Sequence, residues 1–392
     1  MTLQNLDIIK ELKNFGKLLN SKKADDFKFS WIRLARTKNV GSKTFVQLLK
    51  MYGDPETALQ NVDTLAKKGG SPIEKLVPSK QIIEKEIAET RKYGAEIILA
   101  CEENYPSSLL HIPDFPPVII VKGNTQLFKK PMFAIIGARN SSINGNKLSF
   151  EFAKEISDAG FTIVSGLARG IDSFAHKGSL DNGTIGVIAG GINHVYPKEN
   201  IKLYEEIYNK GLIVTEQPIN SSVLAQHFPQ RNRIIAGLAS GVLVVEATKK
   251  SGTLITSKFA LEYNREVYAI PGSPLDAKSQ GTNALLKQGA NLALVPQDIV
   301  QDLAKITRKN NTYISDQNDN FTSNYVKNIP SELELGTFRI KLFNSLSYSP
   351  IEIDDIAEQL EIPINVVSFL LLELELAGKI SRLSNNKVYL IA

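Results

Sequence analysis

The residues best suited to chemistry lie in one stretch, Phe228 to Thr256, FPQRNRIIAGLASGVLVVEATKKSGTLIT. Arg231 and Arg233 bracket Asn232 at its start. An apolar run from Gly241 to Val245 crosses its middle, and Glu246-Ala247 leads into Lys249-Lys250-Ser251-Gly252-Thr253. Guanidinium forks, ammonium groups and a serine-glycine turn suit one ligand chemistry, an anion. Free backbone N–H groups at a helix start carry partial positive charge, and a neighbouring Lys or Arg adds a full one. A basic turn at the C-terminal end of a buried parallel strand is also where open α/β sheets place ligands. The stretch therefore predicts a phosphate-bearing ligand and leaves open which kind.

Other loops carry related chemistry. Gly137-Ala-Arg139-Asn-Ser-Ser142 offers Arg139 as a bidentate phosphate ligand or as the partner of a nearby carboxylate. Ser165-Gly-Leu-Ala-Arg169-Gly-Ile-Asp172 is followed by His176, which shares a helix face with Asp172. Ser165 or Ser173 with His176 and Asp172 could form a nucleophile–base pair. The alternative has Asp172 capping the helix and His176 packed locally, and it is favoured because no GxSxG elbow accompanies the group. Two further loops, Gly190-Gly191-Ile-Asn-His194-Val-Tyr196-Pro197 and Thr215-Glu-Gln-Pro218, belong to the same rim.

Several common chemistries are missing. The first loop is not GxGxxG, and no GxxxxGK[ST] occurs, so neither a dinucleotide fingerprint nor a P-loop is present. The single cysteine, Cys101, and four widely separated histidines (His111, His176, His194, His227) make neither a disulfide framework nor a zinc spacing. No cofactor or metal is expected. With no carboxylate dyad and no activated nucleophile, the rim reads as a binding site rather than an active site. A positive groove with aromatic or apolar platforms suits single-stranded nucleic acid, because a duplex groove needs an inserted helix.

The elements that must position these loops are legible as an alternation. Apolar runs at Phe133–Gly137, Thr162–Ser165, Ile185–Ala189, Leu212–Thr215, Val242–Glu246 and Val267–Ile270 have strand length. Helical segments begin near Asn144, Gly170, Lys198, Arg231, Thr253 and Ser279. Continuous β-branched runs mean burial on both faces, which predicts an α/β fold: an extended, doubly wound, mainly parallel Rossmann-like sheet over 93–304. Before it, 1–92 reads as a helical module with a short amphipathic helix around Leu6 to Leu19. Its turn Asn39-Val40-Gly41-Ser42-Lys43 resembles a helix-hairpin-helix glycine turn, which either faces a phosphate or simply packs two helices. Residues 305–331 are rich in Asn, Ser, Asp and Lys and read as a flexible linker.

Residues 332–392 read as a winged helix: helices over Leu335–Leu346, Ile353–Leu360 and Pro363–Ala377, then a hairpin. Pro363 is expected at the first helical position. The third helix contains Glu373 and Glu375 and neither Lys nor Arg, so it is expected to repel a phosphate backbone and to serve a protein contact or an inert role. The net charge of +5 is compatible with an anionic partner. No run approaches the ~20 apolar residues of a membrane span, and the polar N-terminus is no secretory signal, so a cytoplasmic protein is expected.

Taken together, GARNSS, SGLARGIDSFAHKGSL, TIGVIAGGINHVYP, FPQRNRIIAGLASGVLVVEATKKSGTLIT, VYAIPGS and SQGTNALLKQGA resemble, in order, the bacterial DNA-processing protein A family (DprA, also called Smf). The resemblance implies single-stranded DNA binding by the Rossmann-like domain, homodimers, and loading of the recombinase RecA during natural transformation. It also implies that single-strand-binding protein is displaced or accommodated, and that the N-terminal helices form the family's SAM-like domain. The implied DNA site comprises Arg139, Ser165, Gly166, Arg169, Arg231, Asn232, Arg233, Lys250, Ser251 and Gly252, with no catalytic residue. The chain departs from the family pattern at Asn144, where a tyrosine is common, at His194, where Asp is usual, and at Gln217-Pro218-Ile219. A LOG-type nucleotide hydrolase is the alternative. Its PGGxGTxxE loop would need a glutamate where this chain has Thr256.

Overall fold

A computed structural model describes residues 9, 12–16, 24–310, 330–383 and 386–391. The helix expected around Leu6 to Leu19 falls mostly outside them. Two compact units are present, one of residues 86–317 and the other joining 2–85 with 318–392. Among the described residues no helix is long and apolar enough to cross a membrane.

After helical residues at 12–16 come α1 (Ala24–Ala35), α2 (Ser42–Tyr52) and α3 (Pro55–Lys68). Trp31 is fully buried and meets Phe45 edge-on at 4.9 Å, tying α1 to α2. Asp54 caps α3 by accepting the Glu56 and Thr57 N–H groups at 2.9 Å, with Pro55 behind it, where the missing N–H costs nothing.

From α4 (Lys80–Lys92) the chain enters β1 (Glu96–Leu99), the single turn α5 (Ser107–Leu110), β2 (Val118–Gly123) and β3 (Met132–Ile136). Then come α6 (Ile143–Asp158), β4 (Thr162–Ser165), α7 (Ile171–Ser179), β5 (Thr184–Val187), α8 (Ile201–Lys210) and β6 (Leu212–Thr215). The second half continues with α9 (His227–Leu238), β7 (Gly241–Val244), α10 (Thr253–Glu262), β8 (Glu266–Ala269), α11 (Gln280–Lys287), β9 (Asn291–Leu292) and α12 (Pro296–Asn310). The sheet has nine strands in the order β1-β2-β6-β5-β4-β3-β7-β8-β9. All pairs are parallel except β1–β2 and β2–β6. Every residue of β3, β4, β5, β6 and β7 is buried, as continuous apolar runs require.

Strand β3 lies between β4 and β7, with Ala134 opposite both Val164 and Val242. The winding reverses there, and a reversal opens a crevice at the carboxyl ends of the strands. Against one sheet face, Phe133, Phe152, Ile156, Leu243 and Tyr268 join one apolar cluster that also takes in Ile299 and Leu303.

Two element boundaries differ from the sequence reading. Helix α9 starts at His227 rather than near Arg231, because Phe228-Pro229-Gln230 form its first turn, where proline is tolerated. Helix α12 runs to Asn310, beyond the expected linker start at 305. Most of that linker lies outside the described residues.

The second unit is completed by α13 (Glu332–Ser345), β10 (Ile351–Glu352), α14 (Ile353–Leu360), α15 (Ile364–Leu376), β11 (Ile380–Arg382) and β12 (Lys387–Leu390). The three strands form one antiparallel sheet, β10-β12-β11. Ser331 and Glu334 make a reciprocal capping box on α13. Pro363 stands just outside α15, at its cap, rather than inside its first turn. The acids of α15 do not present the repulsive charge expected of them. Glu373 pairs with Arg339 at 2.8 Å and Glu375 with Arg382 at 2.9 Å, so both are neutralised locally.

Candidate nucleic-acid interface

The loops after β3, β4, β5 and β7, together with the first turns of α9, border one trough at the carboxyl ends of the strands. Part of it is a cavity of 390 Å³ reached by Arg139, Gly166, Arg169, Tyr196, Phe228 and Arg231. Beside this lies a groove of 670 Å³ reached by Arg139, Phe228, Arg231, Asn232, Ser251 and Gly252. Arg139, Phe228 and Arg231 border both, so the two spaces adjoin. Each is of the size that holds a small ligand or one unit of a polymer.

Arg231 forms the floor. It is 6% exposed, and its Nη1 reaches the Val187 carbonyl at 3.4 Å. Asp172 is its counter-charge, and Asp172 also accepts the Gly166 N–H at 3.1 Å and the Ala168 N–H at 3.4 Å. Burial raises the Asp172 carboxyl, opposed by Arg231 and these N–H groups. Burial pulls the Arg231 guanidinium down to about 10, with Asp172 opposing and Arg139 adding to the fall, so it stays charged at neutral pH. A Cβ on Gly166 would overlap Arg231 Nη1, so a side chain there would displace the guanidinium from its place. The glycine seen in SGLARGID thus makes room for an arginine 65 residues later in the chain.

The walls are aromatic and basic. The Arg139 guanidinium lies 4.8 Å from the Phe228 ring centroid, and Phe228 meets Tyr196 edge-on at 5.9 Å and 62°. Tyr196 is 46% exposed. This platform is absent from the residue set implied by the resemblance. Its signal is nevertheless in the chain, because Phe228 and Arg231 are three apart on a helix and share a face. Glu246, at the end of the β7 run, accepts the Ser142 N–H at 2.9 Å and so anchors the arginine-bearing loop after β3. Ser251 accepts the Thr253 N–H at 3.2 Å, and Thr253 Oγ1 donates to the Gly137 carbonyl at 3.1 Å, which fixes the start of α10 against the same loop.

The remaining expected residues are distributed as follows. Arg169 is exposed and pairs with Glu199 at 2.9 Å. Lys250 is exposed next to Ser251 and does not border the trough. Ser165 is fully buried in β4, and its hydroxyl donates to the Ile135 carbonyl at 2.6 Å, so it is not brought to the surface. Arg233 is not brought to the trough either. Residues i and i+2 of a helix point in opposite directions, and its guanidinium binds Glu216 and the Asp114 carbonyl instead. Burial opposes its charge, but Glu216 and Asp114 outweigh that and hold its pKa above the ordinary arginine value.

The serine–histidine–aspartate possibility loses its base. His176 is fully buried, its Nδ1 lies 2.9 Å from Thr184 Oγ1, and burial with the nearby Arg231 charge lowers it to about 3. It is a neutral core residue. Thr256, at the position of the hydrolase glutamate, is buried in α10.

This geometry has counterparts in known proteins. Residues 96–304 match the family model for DNA recombination-mediator protein A, 25–88 that of a DprA-like N-terminal HHH domain, and 330–386 that of a DprA winged helix domain. The chain is 35% identical to the protein Smf of Escherichia coli (strain K12), over 79% of this chain and 81% of that protein. DNA processing protein A from Streptococcus pneumoniae has a similar structure, with a TM-score of 0.61 and 33% identity over 70% of this chain and 96% of the other. DNA processing protein A from Helicobacter pylori, whose structure was described for its single-stranded DNA binding mode, aligns with a TM-score of 0.50 and 28% identity, covering 54% and 96% of the two chains. The Rossmann-like unit that carries the trough, like the chain as a whole, belongs to the DNA recombination-mediator protein A family.

Proposed function

We propose that the trough binds single-stranded DNA. The observation that carries this reading is the Arg139 guanidinium over the Phe228 ring, with Tyr196 edge-on to that ring and the buried Arg231 guanidinium 6.0 Å from its centroid. An aromatic face holds an unpaired base, and flanking guanidinium groups hold the phosphates on either side of it. Backbone N–H groups at the start of α10, with Ser251 and Gly252, extend the site toward Lys250. A duplex keeps its bases stacked and paired, and it offers nothing to this platform. The proposed ligand set is Arg139, Gly166, Arg169, Arg231, Asn232, Ser251 and Gly252, joined by Phe228 and Tyr196, with Lys250 adding charge at the edge. Arg233 and Ser165 support the scaffold.

Family membership and the described single-strand binding of the H. pylori relative support this ligand. We further infer, from the family, that a homodimer delivers the bound strand to RecA during DNA uptake, in competition with single-strand-binding protein. The role is binding and handover rather than bond-breaking, in a cytoplasmic setting.

Fluorescence anisotropy with labelled single-stranded and duplex oligonucleotides over a salt series tests the ligand. Single strands should bind more tightly, and the logarithm of the affinity should fall by about 0.7 per contacted phosphate per decade of salt. Equal affinity for both forms, or affinity independent of salt, would contradict it.

A further inference from the structure

The winged helix and the hairpin turn Asn39–Lys43 take no part in the trough, and the second unit places them against each other. Helix α15 packs on α3 and α2. Leu372 and Leu376 of α15 are fully buried yet lie outside the winged helix's own apolar cluster, which holds Val367, Leu370, Leu371 and Leu374. The α3 end closes to backbone contact, since a Cβ on Gly69 would overlap the Glu373 carbonyl. Polar groups of the hairpin and of α2 then serve carbonyls of the tail. Asn39 Nδ2 donates to Leu376 O at 2.9 Å, Gln47 Nε2 to Ser368 O at 2.9 Å, and Lys43 Nζ to Leu383 O at 2.6 Å. Leu376 O is one of the last carbonyls of α15, a group left without an intrahelical partner, and Asn39 satisfies it. Lys68 adds an ion pair to Glu332 at 2.7 Å.

We propose that α15 is a docking helix: the winged helix grips the N-terminal helical module, and the faces such modules turn toward nucleic acid are spent on each other. A winged helix reads duplex DNA by inserting its third helix into the major groove. Here that helix is apolar on the docked side and carries no Lys or Arg, so its chemistry fits a protein surface. The hairpin turn likewise aims Asn39 and Lys43 at backbone carbonyls rather than at a phosphate. The inference does not depend on what the trough binds.

Thiol labelling of the full chain tests it. The single natural cysteine, Cys101, is buried and gives a quiet background. A Leu372→Cys reporter should label slowly in the otherwise unchanged chain. Adding Gly69→Leu, which forces the Glu373 backbone away, should speed labelling by about ten- to a hundredfold. Gly41→Ala, where a Cβ meets nothing within 4 Å, should leave the rate unchanged. If Gly69→Leu does not fold, the Lys43→Ala, Gln47→Ala pair should move the rate in the same direction. Duplex affinity should not rise in the released chain. Rapid labelling of Leu372→Cys in the unchanged chain, or new duplex binding on release, would overturn the proposal.

Discussion

Replacing Phe228 separates stacking from charge. Phe228 sits in the first turn of α9, partly exposed, between the Arg139 guanidinium at 4.8 Å and the Tyr196 ring at 5.9 Å. Because it lies outside the main apolar cluster, truncation to Ala should cost the fold little. Base–aromatic stacking contributes about 1–3 kcal/mol per base, so Phe228→Ala should weaken single-strand binding by roughly five- to 150-fold. Phe228 carries no charge, so the salt slope of binding should not change. Arg139→Ala should do the converse: affinity falls and the slope shrinks by about 0.7. Phe228→Tyr keeps a ring and should bind within about twofold of the parent. Anisotropy titrations of a labelled oligothymidylate at several salt concentrations measure both quantities. A Phe228→Ala variant with unchanged affinity, or with a flattened salt slope, would refute the assignment of stacking to this ring.

Other outcomes follow from the buried charges. Arg233→Ala leaves Glu216 without its cation and should destabilise the chain by about 3–5 kcal/mol in urea unfolding, while the folded protein binds single strands as before. Glu246→Ala removes the acceptor of the Ser142 N–H and should cost about 1–3 kcal/mol. It should also weaken binding by loosening the Arg139 loop. His176 supplies a pH dependence. Its pKa falls from 6.5 to about 3 on folding, so its contribution to stability is complete above pH 6.5 and is lost as pH drops toward 3. At 1.36 kcal/mol per unit, the loss by pH 4.5 is about 2–3 kcal/mol. His176→Asn should flatten that portion of the stability–pH curve, measured by circular dichroism; an unchanged curve would show that the imidazole protonates freely in the folded state.

The strands were legible because burial on both faces leaves continuous β-branched runs, and the strand-end loops were legible because Arg, Gly and Ser cluster just after those runs. What was hidden depends on partners distant in sequence. Arg231 and Arg233 look equivalent in the chain, but a helix beginning at His227 turns them apart, and only the fold brings Asp114 and Glu216 to the second. Tyr196 belongs to the loop after β5 and Phe228 to α9, and they meet only when the two are assembled. The acids of α15 suggested repulsion because Arg339 and Arg382, their partners, lie on other elements. The docking of α15 on α3 left one trace in the sequence, Gly69, whose lack of a side chain admits the Glu373 carbonyl.

The central claim is that a single strand lies in the trough at the carboxyl ends of the strands. Amide hydrogen exchange of the whole chain, with and without a saturating oligothymidylate, tests it most directly. Slower exchange is predicted in 137–142, 166–170, 190–197 and 248–253 and in the first turns of α9, with α15 unaffected. Protection confined to the N-terminal helices or the winged helix, with the strand-end loops exchanging as in the free protein, would contradict the account.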